Sequence, residues 1–374
     1  MRLRTAHALA ALQPAVEKFR VRLPAFALRF LHAPLPCIFR ERSLAEDLEY
    51  ACEPVGLPDS YTIDPHLLRA CPDIASLRRA EAGVKILHLA DATVLGDGTI
   101  IQEGAIHRSS PAYRRLNASQ ILAAARECHF PKGPRACMDS ATIVSRQLIN
   151  QGTWGDYFLE FLMPMAWVPV RPGRIVLCDR DFIAKNAWRD SGALGFECLN
   201  IPAGGLRVRS LEVIGPCQVF NNFEEANIRK MREKFAVKPA GGSPKRVFLS
   251  RLGVVSENVK NQRAIANEEE VAAYLSSEGF EILYPHEMDN DGIRGRIAGA
   301  DVVVGCWGAA MLNVMWGRPR VVVELVSENF WSPTAVKLSL ANGVERHVAI
   351  RTSDHRISIA ELSAALDSRC GTGR

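Results

Sequence analysis

Between Arg246 and Leu325 the short β-branched runs RVFLS, EILYP, DVVVG and RVVVEL alternate with segments of helical composition. This rhythm is that of parallel strands joined by right-handed helical crossovers, a doubly wound α/β domain. The runs are apolar nearly throughout, as strands are when both faces of a sheet are covered. In such sheets ligands sit beyond the carboxyl ends of the strands, so the residues that follow each strand carry the functional interest.

Those residues form a pattern. Ser250-Arg251 closes the first run, Arg263 precedes Asn267-Glu268 at the next helix start, and Gly279-Phe280 leads into the second run. Ala300 precedes DVVVG, which stops at Gly305; Gly308-Ala309 and Leu312-Asn313 follow, and RVVVEL ends on Glu324-Leu325. In order and spacing the segment resembles the catalytic half of glycosyltransferase family 61. That family includes plant xylosyltransferases, protein O-linked N-acetylglucosamine transferases and many bacterial capsule-type enzymes. Two departures stand out: Trp307 occupies the place where the family usually carries His, and the loop from Arg251 to Arg263 is longer. The resemblance implies two Rossmann-like α/β domains facing a cleft, the GT-B-like arrangement, preceded here by a basic extension. It also implies a nucleotide-sugar donor, UDP-linked, and inversion at the anomeric carbon, with neither cofactor nor metal.

A chain of 374 residues accommodates two domains of ordinary size. The expected division is a basic arm and connecting region over 1–82, an acceptor-side domain over 83–240, a donor domain over 245–350 and a terminal helix within 351–374. The Gly241-Gly242-Ser243-Pro244 stretch marks the boundary between the halves. By the family analogy the terminal helix crosses back to the first domain. Ser358 and Glu361 form a capping box at its start. No apolar run approaches the roughly 20 residues of a spanning helix, and no secretory pattern opens the chain. Ten scattered cysteines without a C-x-x-C pair read as ordinary thiols of a reducing cytoplasm.

The net charge of +5 is unevenly placed: residues 1–42 hold eight Lys or Arg against two acids, leaving 38 basic and 39 acidic residues elsewhere. A neutral body with one basic arm argues against nucleic acid as a partner. The arm reads either as a helix packed on its own domain or as a contact with an anionic membrane face.

In the first half, alternating runs around Gly96-Asp97-Gly98 predict a hairpin, with His88 and His107 in or beside its strands as ordinary sheet residues. The apolar segment from Trp154 to Val168 carries Asp156 and Glu160, four apart and so on one face of a helix. A carboxylate on a buried helix needs a partner or a task. Either serves as the general base of an inverting displacement, and Asp156 equally as a helix N-cap.

The second half supplies the donor side. Gly305, Trp307, Gly308 and Ala309 form a strand-to-helix turn whose small residues let a diphosphate approach helix N–H groups. Arg251 and Arg263 are candidates to fork onto phosphate oxygens and stabilise the departing nucleotide. Trp307 offers a stacking face for uracil or sugar but no proton acceptor. Asn313 holds the turn or touches the donor sugar; Glu324 accepts from ribose hydroxyls or is a buried support. Asn267, with Glu270 three residues on, reads as a helix cap. DRD at Asp179–Asp181 reads as a turn rather than a metal motif.

The sequence thus predicts a cytoplasmic, metal-independent glycosyltransferase acting on a glycan or lipid-linked glycan in surface polysaccharide synthesis. The alternatives are a polysaccharide pyruvyltransferase-like enzyme, and a silent paralogue that binds nucleotide sugar or glycan without turning it over.

Overall fold

The computed structural model describes residues 39–40, 58–70, 83–107, 123–124, 126–127, 136–145, 154–178, 190, 192–215, 223–254, 265–329 and 331–367. Most of the basic arm, Arg263 and the DRD turn lie outside the described residues. Fourteen described strands form two sheets.

The second sheet is the parallel one that the alternation predicts. It contains β10 (Arg246–Leu249), β11 (Glu281–Leu283), β12 (Val302–Cys306), β13 (Val321–Val326) and β14 (Arg346–Arg351). The edge strand β2 (Tyr61–Ile63) joins them, giving the order β11-β10-β12-β13-β14-β2. Every pairing is parallel. One face is covered by α5 (Glu268–Ser277) and α8 (Ile359–Asp367), where Phe248, Val304 and Val323 pack with Val271, Leu275 and Leu362. The other is covered by α6 (Asn290–Ala298), the 3-10 helix Ala309–Trp316 and α7 (Thr334–Ala341), where Val247, Val303 and Val322 meet Ile293, Ile297, Met315 and Leu338. The terminal helix therefore stays with the second sheet instead of crossing back, capped by the Ser358 hydroxyl accepting from the Glu361 N–H at 3.3 Å.

The chain runs from β10 outward to β11, then crosses to the far side of β10 to lay down β12. Consecutive crossovers diverge between β10 and β12, and the crevice beyond the carboxyl ends of those two strands is the topological switch point.

The first sheet is not a second copy. Its order is β1-β5-β4-β3-β9-β6-β7-β8, from β1 (Phe39–Arg40), β3 (Ile86–Val94), β4 (Ile100–Gln102), β5 (Ala105–His107), β6 (Cys137–Val144), β7 (Ile175–Cys178), β8 (Glu197–Asn200) and β9 (Leu206–Ile214). Strands β9, β6, β7 and β8 run parallel, while β3, β4 and β5 add antiparallel pairings. The predicted hairpin is there, turning through Gly98 between β3 and β4. The architecture is mixed α/β, and only the second sheet has the parallel, doubly wound form expected of both.

The helical segment Trp154–Ala166 runs through α2 (Trp154–Asp156), a π-helical stretch Tyr157–Leu162 and α3 (Met163–Ala166). With α4 (Glu225–Lys234) it forms the layer in which side chains from the two sheets meet. Phe158, Phe161, Leu162, Ile228 and Met231 belong to the same apolar cluster as Val176 of the first sheet and Leu249 and Val303 of the second. Trp316 meets Phe158 and Phe235 edge-on, with ring centroids 5.1 and 5.4 Å apart. The boundary stretch at 240–244 is no loose linker: Ala240 N–H donates to Gly295 carbonyl at 3.1 Å, and Ser243 hydroxyl to the same carbonyl at 2.9 Å.

Candidate active site

The switch point is built from the loop after β10 and the turn after β12. Ser250, 1% exposed, continues the strand and donates its hydroxyl to Glu268 Oε1 at 2.8 Å. The same oxygen accepts from the backbone N–H groups of Arg251 at 2.5 Å and Leu252 at 3.1 Å. One buried carboxylate in the first turn of α5 therefore clasps three successive residues of the loop, and its negative charge also suits a helix N-terminus.

Held this way, Arg251 reaches across to the next strand. Its Nη1 donates to Trp307 carbonyl at 3.1 Å and lies 3.6 Å from where a Gly308 Cβ would stand. Gly308 has φ +143° and ψ −169°, which an L side chain adopts only with strain. It begins the 3-10 helix Ala309–Trp316, in which Met311 N–H bonds back to Gly308 carbonyl at 3.0 Å. Gly308, Ala309 and Ala310 are half-exposed, so the helix start stays open beside a partly buried guanidinium. An arginine next to the free N–H groups of a helix start is an arrangement suited to a diphosphate.

Four other predicted donor positions are buried. Trp307 is 9% exposed; its indole N–H donates to Ser332 carbonyl at 3.1 Å, and its rings join Tyr61, Leu67, Trp331 and Val336. It anchors the turn and offers no face for stacking, because burying so large an apolar surface outweighs leaving it in the crevice. Gly305 is a packing position: a Cβ there would meet Met311 Sδ at 2.3 Å. Asn313, 1% exposed, donates from Nδ2 to Ala310 carbonyl at 3.0 Å and so holds the turn. Glu324 is 0% exposed, accepts from Trp331 indole N–H at 3.1 Å and faces His347 Nε2 at 3.6 Å, which leaves no surface for a ribose hydroxyl.

Asn267 stands at the N-cap position of α5, as predicted, but its side chain makes no capping bond there: its amide exchanges hydrogen bonds with the Ile357 backbone, at 2.9 Å from Nδ2 and 2.8 Å to Oδ1. Cys306 lies beneath the loop, 1% exposed, and burial followed by the nearby Glu268 pushes its thiol well above the ordinary range. Glu160 is half-buried within the π-helical stretch, a helical form that often accompanies functional sites. Asp156 closes α2, with a side chain outside the described residues.

Sequence reasoning missed a second cluster. Asp190, 3% exposed, accepts from Tyr157 hydroxyl at 2.5 Å, Arg294 Nη2 at 2.7 Å and Asn290 Nδ2 at 3.2 Å. Arg294 is 4% exposed and stacks on Phe235 and Trp316, its guanidinium carbon 4.1 and 4.7 Å from the ring centroids. Burial, and then the Asp190 charge, hold the Tyr157 hydroxyl well above its usual pKa. This ion pair spans 104 residues of sequence and ties α6 of the second sheet to the segment between β7 and β8. No local pattern announces such a pair.

No curated protein matches the chain. Residues 154–323, from the first turn of α2 into β13, match the family model Glycosyltransferase 61. That span, a little under half of the chain, contains the Arg251 loop, the Glu268 clasp and the Gly308 turn, and over it the chain is similar to glycosyltransferase family 61.

Proposed function

We propose that the protein transfers a sugar from a UDP-linked donor to a hydroxyl of a glycan acceptor, with inversion and without a metal. The observation that carries this reading is Arg251 laid across the switch point onto Trp307 carbonyl, beside the open helix start at Gly308. The diphosphate sits against Gly308, Ala309 and Ala310, and the guanidinium of Arg251 neutralises the charge that develops as the nucleotide leaves. Arg263 belongs to the same loop in sequence and is a second candidate for that charge. The acceptor hydroxyl loses its proton to a side chain facing the crevice, for which Asp156 and Glu160 are the sequence candidates. The acceptor is a surface glycan or its lipid-linked precursor, met at the cytoplasmic membrane face through the basic arm. No helix among the described residues is long and apolar enough to cross a membrane.

One observation favours a second reading, binding without turnover. Trp307, at the family's His position, is buried and supplies no proton acceptor. Melting the protein with a panel of UDP-sugars, and separately with phosphoenolpyruvate, distinguishes the readings. A donor at 100 times its Kd adds about 2.7 kcal/mol of stability, enough for a clear rise in Tm. The transferase reading expects a UDP-sugar to stabilise the wild type, Arg251→Ala to lose that shift, and UDP to be released on turnover. Stabilisation without UDP release identifies the silent binder, and stabilisation by phosphoenolpyruvate alone identifies the pyruvyl enzyme.

A further inference from the structure

The loop after β11 contains a feature that the donor site does not use. A cavity of about 530 Å³ opens there, lined by Asp190, His286, Glu287, Asp289, Asn290 and Asp291 among others. It lies where the two sheets are tied together, because Asp190 on its wall holds Tyr157 of the π-helical stretch and Arg294 of α6. It also adjoins the donor loop: His286 Nε2 lies 3.2 Å from where a Cβ on Gly253 would stand, two residues beyond Arg251. The cavity and the Arg251 crevice are therefore neighbours along one edge of the sheet, beyond the carboxyl ends of β11, β10 and β12.

His286 is the cavity's imidazole, with a side chain 30% exposed and Nε2 3.6 Å from Glu287 Oε1. Imidazole is the side chain best matched to exchanging a proton near neutral pH. Four carboxylates face the cavity, and among the described residues Arg294 neutralises part of that charge through Asp190 and Asp291. A wall of this sign repels phosphate and uronate and accepts hydrogen bonds from hydroxyl or amine groups.

We propose that this cavity receives an uncharged or amine-bearing sugar acceptor, and that His286, rather than Asp156 or Glu160, takes the acceptor's proton. The proposal rests on the transferase reading above. In the step, the acceptor O–H bond breaks as its oxygen bonds to the anomeric carbon. The bond from that carbon to the UDP oxygen breaks with its electron pair passing to the diphosphate. The proton goes to His286, whose imidazolium is held by Glu287 and released to water after product leaves.

The test uses the full chain and the UDP-sugar that raises its Tm most, with UDP release measured against methyl glycosides of neutral and amino sugars and against a glucuronide. In His286→Ala and His286→Gln, turnover falls roughly 10²- to 10⁴-fold while the donor-induced Tm shift is retained, and wild type prefers the neutral or amino sugars to the glucuronide. Turnover within twofold of wild type in the His286 variants overturns the proposal, above all if Asp156→Asn abolishes it. So does loss of the donor shift together with turnover, or a preference for the glucuronide. If no UDP-sugar shifts the wild type at all, the failure belongs to the transferase reading itself.

Discussion

Glu268 holds the Arg251 loop through a single oxygen, and Glu268→Ala removes the clasp. Two donors lose their acceptor, the Ser250 hydroxyl on a residue 1% exposed and the half-buried N–H of Arg251, while the Leu252 N–H keeps the Ser250 hydroxyl oxygen at 3.1 Å. Orphaning the buried hydroxyl costs about 1–3 kcal/mol, and the Arg251 N–H, which water partly rehydrates, about 0.5–1 kcal/mol. The expected loss is therefore about 3 kcal/mol, a large fraction of the roughly 5–15 kcal/mol that holds a typical fold. Glu268→Gln keeps an oxygen in place and loses only the charge, so about 1–2 kcal/mol is expected. Urea unfolding followed by tryptophan fluorescence reads both as a fall in midpoint at constant slope. The donor-induced Tm shift should weaken in the same order, because Arg251 is aimed by this clasp. A Glu268→Ala protein within 1 kcal/mol of wild type, or a Gln variant as damaged as the Ala variant, refutes the reasoning.

Other expectations follow from the same contacts. Arg294→Met leaves Asp190 buried without its charge partner and should cost about 3–5 kcal/mol; adding Asp190→Asn should recover part of this, read as a coupling energy in a double-mutant cycle. Gly308→Ala should lose about 1–3 kcal/mol to backbone strain at φ +143° and weaken UDP-sugar binding, checked by unfolding and by titration. Burial pushes Glu212 up, but Arg174, the Thr142 hydroxyl and Arg171 outweigh it and hold its carboxyl below the ordinary 4.5. Because the folded pKa is depressed, this stabilisation is present above the unfolded value and lost as pH falls through the folded one. The acid limb of a pH–stability curve below about 4.5 should accordingly flatten in Glu212→Gln.

What the sequence made legible was whatever is local or periodic. The alternation from Arg246 to Leu325 predicted a parallel sheet because every strand buried on both faces must be apolar, and β10, β12 and β13 pair as that predicts. The Gly96–Gly98 hairpin and the Ser358 cap are readable from residues a few positions apart. For Trp307, Glu324 and Asn313 the sequence left the direction of the side chain open. Position after a strand says that a residue is near the crevice, but only packing says which way its side chain turns. Trp307 turns toward Tyr61 and Leu67, which come from the far end of the chain. The Asp190–Arg294 pair was invisible because 104 residues separate its members, and the 3-10 form of Ala309–Trp316 was invisible because its composition suits an α-helix equally well. The mixed first sheet also defeated analogy: β9 pairs antiparallel with β3 and parallel with β6, a choice made by long-range assembly.

The edge strand β2 has a consequence for how the molecule comes into being. Tyr61 donates its hydroxyl to Val344 carbonyl, 283 residues further on, and β2 can pair only once β14 exists. At roughly 5–20 residues per second of synthesis, Tyr61 and Ile63 leave the ribosome about a quarter-minute to a minute before their berth does. During that interval they are apolar cargo without a destination. An excised piece starting at residue 245 would lack them altogether, uncovering β14 and thinning the wall that seats Trp307. The nascent chain must complete its second sheet with a segment made long before the strand that receives it.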